Sequence, residues 1–241
     1  MSERPPLHLY TASTMNGWKP LLFLEEAGLD YELTHIDFGA REQKADWYLR
    51  LNPNGRIPTL VDREAGDFVV FESGAILWYL AEKTGRFLPE GPLARSEALQ
   101  WLMFQMSGVG PMMGQAMYFQ RIAAPNGHVD EFAIRRYVDE SRRLLEVVDR
   151  RLQGREWLVG DAYSIVDMAM YPYARSHPWA KVDVDGLDAL KTWLDRLDAR
   201  PAVQRAVKKP RPVPAFFGLA DEETELDGNA GRFRHDVKEQ R

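Results

Sequence analysis

The first ninety residues alternate between short apolar runs and runs of helical period. Leu7–Tyr10 is apolar between polar neighbours and predicts a strand; Tyr31–Asp37 alternates like a half-buried one. Between them Pro20–Gly28 predicts a helix, with Pro20 near its first turn and Gly28 as its C-terminal stop. Ala45–Leu51 predicts a short amphipathic helix, Thr59–Asp62 and Phe68–Phe71 a hairpin, and Ser73–Lys83 a strongly periodic helix. This order predicts a βαβ–ββα sandwich rather than a doubly wound sheet.

Gly85–Leu93 holds two prolines and two glycines and reads as a linker, after which the pattern is helical throughout. Ala94–Met106 and Met112–Ile122 predict one long helix interrupted at Gly108-Val109-Gly110-Pro111, where a proline removes a backbone donor. Val129–Leu152, Ser164–Tyr173 and Leu187–Ala199 predict three more helices. The expected organisation is an α/β domain over 1–86, a linker over 87–93, an all-helical domain over 94–205 and an extended tail over 206–241. Lys208–Pro214 is too rich in proline for a helix, and the residues after it are polar and charged. The tail reads as solvated chain; if it straps across a partner subunit, Phe216 and Phe217 are its anchors.

A net charge of −5, with no basic block before the tail, argues against a nucleic-acid surface. The N-terminus lacks the apolar segment of a secretory signal, and no run approaches the roughly 18 apolar residues needed to span a bilayer. The expected setting is cytoplasmic, with no membrane partner. The chain has no cysteine, which removes disulfides, thiolate metal sites and any cysteine nucleophile.

Three places combine polar groups with element ends. Thr11-Ala12-Ser13-Thr14-Met15-Asn16-Gly17-Trp18-Lys19 is a polar loop leading into a helix, and Thr14 and Asn16 are of the residue types that cap helices. Ile57-Pro58 follows the turn Asn52–Arg56, and Glu72-Ser73 stands where a strand meets a helix N-terminus that favours anions. The order and spacing of the three resemble the glutathione site of glutathione transferases. The details are closest to the bacterial nu class of Ure2p-like, glutathione-dependent disulfide-bond oxidoreductases, which carry Thr-x-Asn-Gly where this chain has Thr14-Met15-Asn16-Gly17. The resemblance spans residues 7 to about 205. It implies a thioredoxin-like first domain followed by a helical bundle.

The resemblance also implies roles for single residues. Ile57 offers its backbone to the extended tripeptide while Pro58 takes the cis form. Ser73 holds the γ-glutamyl carboxylate and Glu72 the α-ammonium. A free thiol near pKa 8.5 is mostly protonated at neutral pH, so the site must place donors at the sulfur. Thr14 and Asn16 are the expected donors and catalytic residues, with Tyr10 and Ser13 as rivals: Tyr10 reads as a core residue, and Ser13 reaches the sulfur only on a different loop path. Gln43 and Arg56 match groups at the glycine end. Arg136 of the helical domain matches an arginine that reaches toward glutathione, across a homodimer in one arrangement, and its neighbour Arg135 is interchangeable with it on sequence grounds.

Ser164-Ile165-Val166-Asp167 is a capping box and is assigned to folding. Most aromatics read as core, with Tyr118 and Trp179 as candidate pocket walls. The expected ligands are glutathione or glutathione disulfide together with a small disulfide or an electrophilic substrate, and no metal. The expected reaction is reduction of small disulfides, with weak transferase or peroxidase activity. The alternatives are conjugation or ether cleavage at a carbon electrophile, and a non-catalytic binding or regulatory module.

Overall fold

The structure, a computed structural model, describes residues 4–212. Two compact units emerge, one running up to Lys83 and resumed from Pro201, the other covering Thr84–Arg200.

The first unit is a thioredoxin-like βαβ–ββα sandwich. Its strands β1 (Leu7–Thr11), β2 (Tyr31–His35), β3 (Thr59–Asp62) and β4 (Phe68–Phe71) form one sheet in the order β2-β1-β3-β4. β1 runs parallel to β2 and antiparallel to β3, so Leu9 faces both Leu33 and Leu60 across the sheet. β3 and β4 form the hairpin, Leu60 opposite Val70. Helix α1 (Met15–Ala27) ends at Gly28, whose φ of 62° is the left-handed conformation that a C-terminal glycine supplies at little cost. The helix begins five residues before the expected start. Pro20 lies inside it: Thr14 caps the helix one turn and more ahead of the proline, and the Asn16 carbonyl forgoes the N–H that residue 20 would otherwise give it.

A 3-10 turn (Glu42–Lys44) and helix α2 (Asp46–Leu49) follow β2, and α3 (Ser73–Thr84) follows the hairpin. Leu9, Leu21, Leu22, Phe23, Leu24, Leu60, Ile76, Leu77 and Leu80 are wholly buried. A smaller cluster of Ala12, Ile36, Phe38 and Tyr48 packs with Tyr10 and Ile57. The segment from Pro201, expected as the last stretch of the all-helical region, adds a short helix that packs on α1.

The second unit is all-helical: α4 (Pro92–Phe104), α5 (Gly110–Tyr118), α6 (Glu131–Leu152), α7 (Ile165–Arg175) and α8 (Asp188–Asp198). The expected break before Pro111 is instead a π-turn over Gln105–Val109, in which Gly110 N–H reaches back to the Gln105 carbonyl. The wider turn makes room for a proline ring without ending the coil. A second π-turn, Phe119–Ala123, follows α5. The short helix that packs on α1 is α9 (Pro201–Ala206), and Lys208–Pro212 is non-helical as expected. Phe216 and Phe217 lie outside the described residues.

Candidate functional site

The turn from β1 into α1 brings the polar loop up to Ser73 of the Glu72-Ser73 motif. The Thr14 hydroxyl accepts from Gly17 N–H at 3.1 Å, the ordinary work of a helix cap. A cap uses a lone pair, so the hydroxyl proton is left over, and nothing among the described residues accepts it. Ser73, 2% exposed at the start of α3, lies 57 residues from Asn16 in sequence. Its hydroxyl donates to Asn16 Oδ1 across 3.4 Å, which leaves the Asn16 Nδ2 amine without a protein acceptor among the described residues. Gly17 is required by the tight turn itself, since a Cβ there would stand 2.0 Å from the Ala12 carbonyl oxygen. Glu72 stands just before α3 at φ 71°, with its carbonyl accepting from Ile76 N–H and its side chain exposed.

The Ile57-Pro58 motif lies beside β3. Ile57–Pro58 is a cis peptide bond. The β1–β3 pairing ends at Tyr10 and Thr59, so Ile57 precedes the ladder, and its backbone N–H and C=O meet no partner among the described residues. Its neighbour is fastened: the Arg56 carbonyl accepts from Tyr48 Oη at 2.9 Å and from Asn52 Nδ2 at 2.6 Å. The Arg56 side chain is exposed, without a partner among the described residues. Gln43 is 5% exposed in the 3-10 turn, yet its Oε1 is a buried acceptor with no donor among the described residues. A buried acceptor in that state costs roughly 1–3 kcal/mol, which a bound donor would recover.

The rival activators have other tasks. Ser13 Oγ–H donates to the Arg211 carbonyl at 2.6 Å and accepts from Arg211 N–H at 3.1 Å, so its only proton is already committed. Tyr10 packs its ring 4.0 Å from His8 and 5.9 Å from Trp47, and burial pushes its phenol above the usual range. Lys19, which no sequence pattern singles out, is 1% exposed in the first turns of α1; burial lowers its ammonium to about 7, against the opposing pull of Glu72.

Models of the glutathione S-transferase N-terminal and C-terminal domains match residues 5–82 and 111–201. The chain belongs to the glutathione S-transferase family. Disulfide-bond oxidoreductase YfcG of Escherichia coli K12 is 44% identical over 207 residues, 84% of this chain and 95% of that protein. A glutathione transferase from Burkholderia graminis, solved with two glutathione molecules bound per subunit, is 40% identical with a TM-score of 0.81, covering 87% of this chain and 90% of its own. One from Pseudomonas putida, solved with one glutathione disulfide per subunit, is 39% identical with a TM-score of 0.80, over 87% and 94% of the two chains. These likenesses are of the nu-class kind.

For a glutathione transferase the first unit thus offers two unused donors beside a helix N-terminus, and unpaired main chain at Ile57. In the second unit Arg135 and Arg136 are both exposed on α6 and line one surface hollow with Phe132, Tyr137, Glu140 and Arg143. The Arg121 guanidinium lies 5.4 Å over the Trp179 ring, and Tyr118 packs edge-on to Phe119. Among the described residues no His, Asp and Glu side chains group to hold a metal, and no helix is long and apolar enough to cross a membrane.

Proposed function

We propose that this glutathione transferase reduces small disulfides with a thiolate borrowed from glutathione. The observation that carries the reading is the pair of uncommitted donors, Thr14 Oγ–H and Asn16 Nδ2–H, beside Ser73 in a chain without cysteine. In this reading Ile57 binds the extended tripeptide by main-chain hydrogen bonds, Ser73 takes the γ-glutamyl carboxylate at the N-terminus of α3, its hydroxyl turning from the long 3.4 Å contact with Asn16 Oδ1 to the ligand, and Glu72 takes the α-ammonium. Gln43 and Arg56 hold the glycine end.

Thr14 and Asn16 lower the thiol pKa by donating to the sulfur as its proton leaves to solvent. The thiolate attacks one sulfur of the substrate disulfide. A glutathione–substrate mixed disulfide forms, and the other half leaves as a thiolate and takes up a proton. A second glutathione thiolate then attacks the glutathione sulfur of the mixed disulfide. Glutathione disulfide and the second substrate thiol are released, so two thiols are oxidised for each disulfide reduced. The bound ligands of the Burkholderia graminis and Pseudomonas putida relatives, two glutathiones and one glutathione disulfide, are the two ends of such a cycle. Homodimerisation and a contribution of Arg136 to glutathione binding belong to the same proposal; Arg136→Ala compared with Arg135→Ala in binding assays separates the two arginines.

The test is turnover of a hydroxyalkyl disulfide with glutathione, set against conjugation of a chlorodinitrobenzene-type electrophile. Faster disulfide turnover supports the reading. Faster conjugation moves the chemistry to carbon, and absence of a thermal shift with glutathione overturns any glutathione-dependent activity.

A further inference from the structure

The segment after α9 returns to the thiolate-binding loop and fastens it at both ends. The fastening begins on Glu25 of α1, whose side chain is 9% exposed. Glu25 accepts from Arg205 Nε at 2.8 Å, Lys209 Nζ at 2.6 Å and Tyr31 Oη at 2.6 Å. From that anchor the backbone of 209–211 runs along the loop. The Lys209 carbonyl accepts from the wholly buried Trp18 indole N–H at 3.1 Å. Arg211 engages the Ser13 hydroxyl twice, giving its N–H and receiving the hydroxyl proton on its carbonyl. Ser13 is 4% exposed. Thr14 and Asn16 lie between these two fastened points.

We infer that residues 207–212 form a strap that preorganises Thr14 and Asn16 for the glutathione sulfur, with Ser13, Trp18 and Lys209 as positioning residues. Donors aimed at a developing charge stabilise it most when they need not reorganise, so a fastened loop contributes more than a free one carrying the same side chains. Affinity for glutathione depends mainly on the tripeptide backbone and its ends, which the strap does not touch. The strap therefore acts on thiol ionisation more than on binding. This inference rests on the glutathione reading of the site.

The experiment uses the full chain and two readouts, glutathione affinity by calorimetry and ionisation of the bound thiol by its ultraviolet thiolate absorbance against pH. Ser13→Ala is expected to raise the pKa of the bound thiol by about one unit and lower kcat/KM at neutral pH about tenfold, with glutathione Kd changed by less than about threefold. Ser13→Thr keeps the hydroxyl and is expected to behave as the unchanged protein. Lys209→Met, remote from the sulfur, is expected to shift ionisation in the same direction by about threefold. An unmoved thiol pKa in Ser13→Ala that still binds glutathione overturns the strap and leaves the glutathione reading intact. A shift confined to Ser13→Ala, with Lys209→Met silent, assigns the effect to the serine alone and equally overturns it. If the unchanged protein binds no glutathione, the underlying reading fails instead.

Discussion

Helices α7 and α1 are both capped by a hydroxyl side chain, and they use it in opposite ways. At α7 the Ser164 Oγ accepts from Val166 N–H at 3.2 Å and donates to Asp167 Oδ2 at 3.1 Å. The Asp167 carboxylate also accepts from Ser164 N–H, Leu158 N–H and Trp193 Nε1–H, and both residues are buried. Every donor in that cap has a protein acceptor. At α1 the Thr14 oxygen caps equally well, but its proton and the Asn16 amine meet none among the described residues. The difference teaches that a helix cap is marked as functional by what it leaves unused, because hydrogen-bonding capacity closed within the protein cannot act on a ligand.

The largest effect should come from breaking the closed cap. Asp167→Ala strands three N–H donors and the Ser164 hydroxyl in a buried site, and is expected to cost about 3–5 kcal/mol in denaturant unfolding. The same carboxylate predicts a pH dependence. Burial raises it from 3.8 to about 6, against the pull of its four donors. An acid whose folded-state pKa lies above its unfolded value binds its proton more tightly when folded. Its contribution is therefore most favourable below about pH 4 and is lost as pH rises through about 6. The unfolding free energy of the unchanged protein relative to Asp167→Asn should fall by about 2–3 kcal/mol between pH ~4 and ~7. A flat difference would mean that the four donors offset burial completely.

Next in size is the open cap. Asn16→Ala should lower disulfide turnover by about tenfold to a hundredfold, the scale of one donor to a developing anion, with the melting temperature little changed. Loss of stability with turnover retained would place Asn16 in the same class as Asp167 and collapse the comparison.

The sequence carried these two caps unequally. The capping box was legible because both partners lie within four residues and the pattern recurs in helices generally. The hairpin β3–β4 was legible to the residue because apolar runs end at turn residues on both sides. The start of α1 was not: Met15–Lys19 has no helical period, and Pro20 resembled a first-turn proline. The approach of Ser73 to Asn16 was foreseen only through resemblance, since spacing alone leaves Thr14 and Asn16 as ordinary caps. Ser13 and its strap were beyond reach. Their bonds join a side chain to backbone groups 198 residues away, and backbone groups carry no sequence code.

The smallest effect is the most discriminating, because Thr14 caps the helix and is also proposed to serve the sulfur. Thr14→Val keeps the shape and removes the lone pair that caps Gly17 as well as the proton proposed for the sulfur. Loss of the cap should cost about 1 kcal/mol of stability, read from denaturant unfolding. Loss of the proton should lower turnover about tenfold and raise the pKa of bound glutathione, whereas Thr14→Ser should restore both quantities. The two losses come from different parts of one hydroxyl, so they need not travel together. If Thr14→Val loses the stability and keeps its turnover and thiol pKa, the hydroxyl is a closed cap like Ser164, and the thiolate is held by Asn16 alone.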